Sequence, residues 1–101
     1  MIGSEIAKTR PAVIISNDVG NQYSSRVIVA AITSGSSDRV FPFEVLLSSG
    51  EGGLNRRSKV LLDQLRTVDK SRLGKRLGAL PDERMAEVDR AVAISLGLRR
   101  T

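Results

Sequence analysis

KTRPAVIISNDVGNQYSSRVIVAAITS, residues 8–34, contains two short β-branched runs, AVIIS at 12–16 and RVIVAAI at 26–32. Branched side chains pack well on a pleated, half-buried surface, so both runs predict strands. Between them, residues 17–25 supply Asn, Asp, Gly and Ser, which favour turns. The stretch therefore predicts two adjacent antiparallel strands joined by a loop longer than a tight hairpin. Downstream, residues 34–38 (SGSSD) form a polar, mobile loop and 43–47 (FEVLL) a third strand. Residues 50–57 (GEGGLNRR) make a glycine-rich turn, 58–62 (SKVLL) a fourth strand, and 66–68 begin a shorter fifth. In 72–80 (RLGKRLGAL) the spacing of Gly74 and Gly78 favours a strand over a helix.

A helix is predicted at the C-terminal end. Pro81 suits a first turn, and Asp82 and Glu83 sit where the helix dipole favours negative charge. Met85, Val88, Val92 and Leu96 recur at three- and four-residue steps as one apolar stripe, and Gly97 is a stop. Short strands followed by one helix predict a mainly β, β-rich α+β domain, a curled sheet or partial barrel with the helix packed on it. A chain of 101 residues suits a single domain over 1–101.

Composition narrows the chemistry. With 41% hydrophobic and 27% charged residues the chain is ordinary for a globular protein. It has no Cys, so neither a disulfide nor a thiolate nucleophile is available, and no His, which removes the commonest general base and metal ligand. Carboxylates alone are a poor zinc set, so neither metal nor cofactor is expected. A net charge of +5 points to an anionic partner (nucleic acid, an acidic protein or a lipid surface) or to a merely basic surface. Tyr23, Phe41 and Phe43 are too few for a base-stacking platform. No apolar run approaches the ~20 residues of a membrane span, and no leader opens the chain, so the cytoplasm is expected.

The first two strands also imply a geometry. If Asn17 faces Arg26, then Arg10 faces Thr33, and directly opposed residues lie within ~6 Å at Cβ. A guanidinium and a hydroxyl would converge at the sheet's end. The plainer account of the same geometry is an edge Arg bonding a strand-end carbonyl while Thr33 turns the chain. Gly50-Glu51-Gly52-Gly53 is read as a hairpin turn, because no Gly-Lys-Ser/Thr follows to make a phosphate loop. Arg56, Arg57, Lys59, Arg66, Lys70, Arg72, Lys75 and Arg76 gather positive charge in the second half, either as an RNA track or as a solvated face.

Gly3-Ser4-Glu5-Ile6, Lys8-Thr9-Arg10-Pro11 running into 12–17 (AVIISN), Ile32-Thr33-Ser34, and 58–73 (SKVLLDQLRTVDKSRL) resemble, in order and spacing, the blocks of the MazF/PemK toxins. The resemblance covers nearly the whole chain. It implies an SH3-like partial barrel of the MazF/PemK/CcdB type, a homodimer, a metal-independent endoribonuclease cutting single-stranded RNA at short motifs, and silencing by an acidic MazE-like antitoxin laid across the basic groove. It carries over Arg10 and Thr33 as catalytic residues, Ser34, Gln64 and Arg66 as RNA-binding positions, and Glu5 and Asp63 as two candidates for the general base. One branch of the family has an Arg two residues before its Asp, where this chain has Leu61. Arg10 and Thr33 are therefore the catalytic pair implied.

Two further expectations follow. Relatives begin with a strand of the type Gly-Asp-Ile-x-x-Val-x-Leu, which this sequence lacks. The edge of the 12–16 strand is thus expected to be unpaired within the chain, and covered by a neighbouring chain or a rearranged terminus. The competing functions are a CcdB-like inhibitor of DNA gyrase, against which the Trp-less tail Leu98-Arg99-Arg100-Thr101 counts, and a non-catalytic SH3-like RNA-binding module.

Overall fold

The computed structural model describes residues 10–34 and 39–98, and the backbone of 2–5. Its elements are β1 (Ile2–Glu5), β2 (Pro11–Ile14), α1 (Asp18–Tyr23), β3 (Arg26–Thr33), β4 (Glu44–Leu47), β5 (Ser58–Asp69), β6 (Leu73–Gly78) and α2 (Asp82–Ser95). Among the described residues the strands form one sheet in the order β4-β5-β3-β2-β1-β6, every pair antiparallel. The two outer strands do not pair with each other, so the barrel is partial and open. A mainly β fold with a C-terminal helix was expected and is what forms.

Alternation along β3 explains why the sheet is packed on both sides. Successive strand residues point to opposite faces. Ala30 and Ile32 join Val13, Val60, Leu62 and Val88 in the main core under α2, which packs on β4 and β5. Val27 and Val29 join Ala12 and Val68 in a second cluster, against which Leu73 of β6 packs. Burying a Val or Leu side chain fully is worth about 1.5–3 kcal/mol. Val13, Leu47, Val60, Leu62 and Val88 show no exposure at all.

The structure corrects four expectations. Residues 17–25 are not simply a loop: they contain α1, because Asn17 caps it by accepting the Gly20 N–H at 2.7 Å, and the Asn21 side-chain amide donates to the Ser16 carbonyl at 2.8 Å. The fourth and fifth strands are one continuous β5. Its partners on β3 jump from Leu65 opposite Ala30 to Leu61 opposite Ala31, leaving Leu62, Asp63 and Gln64 as a bulge. That polar pair reads in sequence as a strand break. The edge of β2 is covered by the chain's own residues, since β1 pairs Ile2 with Val13 and Ser4 with Pro11. Finally, the helical stripe holds at Val88, which is buried, and at Met85 and Val92, which pack against the core, but Ala91 joins it and Leu96 is 56% exposed. The helix does stop at Gly97 (φ 74°), where the Gly97 N–H bonds the Ile94 carbonyl and the Leu98 N–H bonds the Ala93 carbonyl.

The glycine-rich turn is structural, as read. A Cβ on Gly53 would lie 2.1 Å from the Leu77 carbonyl oxygen, and one on Gly78 2.8 Å from the Gly52 carbonyl oxygen. Turn and β6 touch backbone to backbone, which only glycine permits. Glu51 then ties the turn to α2, its two oxygens accepting from Arg84 Nε at 3.2 and 3.0 Å. Most of the 34–38 loop lies outside the described residues.

Candidate active site

The β2–β3 register is the one expected: Ala12 faces Ala31, Val13 faces Ala30 and Ile14 faces Val29. Two residues further along each strand stand Arg10 and Thr33, and both line one cleft of about 350 Å³. Its floor is small and apolar, from Ala12, Val29 and Ala31, with Leu61 beside them. Gln64 and Arg66 complete the lining. Gln64 is there because of the bulge, which lets β5 present it beside the cleft, and Arg66 because it pairs with Val29. A forked cation, a hydroxyl and an amide over an apolar floor suit a phosphodiester, whose oxygens accept from all three.

Not every candidate converges. Ser34 is exposed next to Thr33 but does not line the cleft. Asp63 is exposed within the bulge and does not line it either. The backbone of Glu5 pairs with Leu73, and its side chain lies outside the described residues. The small floor residues escaped the sequence reading, although Ala12, Val29 and Ala31 share one face with Arg10 and Thr33 by simple alternation. Among the described residues no group of three or more acidic side chains stands close enough to hold a metal ion. No described helix is long and apolar enough to cross a membrane.

Lys59 needs correcting too. Read as surface charge, it is buried, and it pairs in the ladder with Thr33. Its Nζ donates to the Arg39 carbonyl and to Glu44 Oε1, each at 3.1 Å. Burial pushes the Glu44 carboxyl up, but the Phe41 N–H and Lys59 outweigh it and hold the group below the ordinary glutamate value. This buried network braces the strand beside Thr33 and fastens residues 39–41 to the sheet. Phe41 and Phe43 stack on each other at 5.4 Å, with the Arg39 guanidinium 4.9 Å from the Phe41 ring centre.

Residues 1–96 match the model of the PemK-like, MazF-like toxins of type II toxin-antitoxin systems. The chain is 49% identical over 96 residues to Endoribonuclease MazF of Staphylococcus epidermidis, covering 95% of this chain and 80% of that protein. The toxin MazF-mt6 of Mycobacterium tuberculosis superposes with a TM-score of 0.85 at 27% identity, covering 98% of each chain. MazF in the MazE-MazF complex of Deinococcus radiodurans superposes with a TM-score of 0.77 at 27% identity, covering 97% of this chain and 93% of that one. With its fold, its blocks of sequence and its relatives in agreement, the chain belongs to the PemK/MazF family of toxins of type II toxin-antitoxin systems.

Proposed function

We propose that this chain is a cytoplasmic, sequence-specific endoribonuclease toxin that cuts single-stranded RNA without a metal, using the substrate's own 2′-OH. The observation that carries this reading is the convergence of Arg10, Thr33, Gln64 and Arg66 on one cleft. A ribose 2′-OH is tethered beside its own 3′-phosphate, so holding the two in line supplies much of the rate. Arg10 acts first as a charge stabiliser on the phosphate oxygens, because a guanidinium rarely gives up a proton, and second as a proton donor. Thr33 adds a neutral donor to the same oxygens. Ser34, Gln64 and Arg66 hold the RNA, and one carboxylate, Glu5 or Asp63, takes the 2′-OH proton. As the O2′–P bond forms, the P–O5′ bond breaks and the leaving 5′-oxygen takes a proton from Arg10 in that second role, so the products are a 2′,3′-cyclic phosphate and a 5′-hydroxyl. The toxin works as a homodimer and is silenced by an acidic, MazE-like antitoxin across the basic cleft.

Incubation with end-labelled single-stranded RNA in EDTA tests the reading. Discrete cuts ending in a cyclic phosphate are expected, and a 2′-deoxy residue at the cut nucleotide should abolish them. Retention of the RNA without cleavage, rescue only by magnesium, or a 5′-phosphate product would overturn it.

A further inference from the structure

A second cleft, of about 320 Å³, is lined by Arg26, Arg66, Thr67, Val68, Asp69 and Arg72. Arg66 also lines the cleft of Arg10 and Thr33, so the two clefts adjoin at that residue. Arg66 pairs with Val29 and Asp69 with Arg26, which sets Arg26 three residues further along the ladder, ~10 Å away; alternation starts Arg26 and Arg66 on opposite faces of the sheet, and both line this cleft. Polar and cationic groups at that interval suit a short run of extended RNA backbone leaving the first cleft.

Arg26 and Arg72 are accessible to such a ligand. Arg26 Nε is 3.3 Å from Asp69, but the side chains are 68% and 54% exposed. A pair so exposed is screened by water and held weakly, so Arg26 can turn to a phosphate at little cost. Arg72 is exposed at the end of the tight turn joining β5 to β6. We infer that Arg26 and Arg72, with Arg66 as the hinge, form a second phosphate subsite that engages RNA on one side of the scissile bond. The inference rests on the ribonuclease reading above, and extends the recognised RNA beyond the nucleotides seated over Arg10 and Thr33.

The test is the double substitution Arg26→Gln/Arg72→Gln, whose fold is checked by its unfolding midpoint. It is assayed on a short RNA that just spans the cleavage motif, and on the same motif extended to either side. Uncleavable 2′-deoxy versions of both RNAs are used to measure Kd. For the RNA extended on one side, KM and Kd should rise several-fold with kcat unchanged, while the short RNA is unaffected. The salt dependence of log Kd for that RNA should flatten by about 1.4, as expected when two phosphate contacts on a single strand are lost. Equal losses on short and extended RNA, or no change on either, would overturn the subsite. So would unchanged RNA binding alongside lost binding of a polyglutamate peptide, which would assign the cleft to an acidic protein. Failure of the unsubstituted chain to cut any RNA would sink the ribonuclease reading, and Kd for mixed-sequence single-stranded RNAs of short and extended length would still decide the subsite.

Discussion

The ammonium of Lys59 and the carboxylate of Glu44 meet at 3.1 Å between β5 and β4, each side chain only 9% exposed. Removing one member strands the other in the interior, which typically costs about 3–5 kcal/mol, whereas replacing both by apolar groups of similar volume is often neutral. Lys59→Ala should therefore lower the urea midpoint sharply. Lys59→Met with Glu44→Leu should recover most of that loss, and their non-additivity in a double-mutant cycle measures the coupling. Equal losses in the single and double variants would show that the network matters for something other than its charges.

Acid should weaken the fold through the same group. Glu44 and Glu51 both have carboxyls held below the ordinary glutamate value. In Glu44, burial opposes the lowering, and the Phe41 N–H and Lys59 outweigh it. In Glu51, Arg84 leads and the Ser48 N–H assists. The unfolded chain binds these protons more tightly than the folded one, so stability rises with pH through this range. Their contribution is complete above the unfolded value near ~4.3 and is lost as pH falls further. Denaturant titrations from neutral pH to pH 3 should show a steep acid limb that is flatter in Glu44→Gln, and flatter again when Glu51→Gln is added.

Arg10→Ala should reduce kcat far more than it raises KM, because only contacts stronger in the transition state speed the chemical step. Loss of one donor of this kind costs about 10²–10³-fold in rate. Thr33→Val keeps the side chain's shape and deletes the hydroxyl, so its loss should be smaller but clear. Single-turnover cleavage with saturating enzyme separates the two effects.

The two carboxylates can be told apart kinetically. The general base is expected to leave an acid limb in the pH dependence of kcat/KM, and replacing it by its amide should remove that limb. Glu5→Gln and Asp63→Asn are the pair to compare. A limb that survives both substitutions would mean that neither carboxylate takes the proton.

A last prediction concerns the glycine turn. Gly78→Ala would place a methyl 2.8 Å from the Gly52 carbonyl oxygen, backbone that cannot yield without moving β6. Thermal unfolding should occur well below the parent temperature. A midpoint within a degree or two of the parent would show that turn and strand can separate freely.

Local structure was legible along the chain. Alternating branched residues set β2 and β3, and their chain connection set the register that aims Arg10 and Thr33 at one cleft. Pro81, the acidic first turn and Gly97 bounded α2, because caps and dipoles act within a turn or two. Long-range pairing was not legible there, because it depends on which strands come to lie side by side. A residue such as Asp63 or Gln64 looks like a strand break until β3 lies beside it, when it becomes a bulge that carries Gln64 to the cleft. Lys59 looks like surface charge until β4 brings Glu44 within 3.1 Å and the pair can be buried together. Likewise, residues 2–5 take their place as a strand because they lie between β2 and β6. A backbone hydrogen bond or an ion pair needs both partners in place, and when they are far apart in the chain, packing alone brings them together.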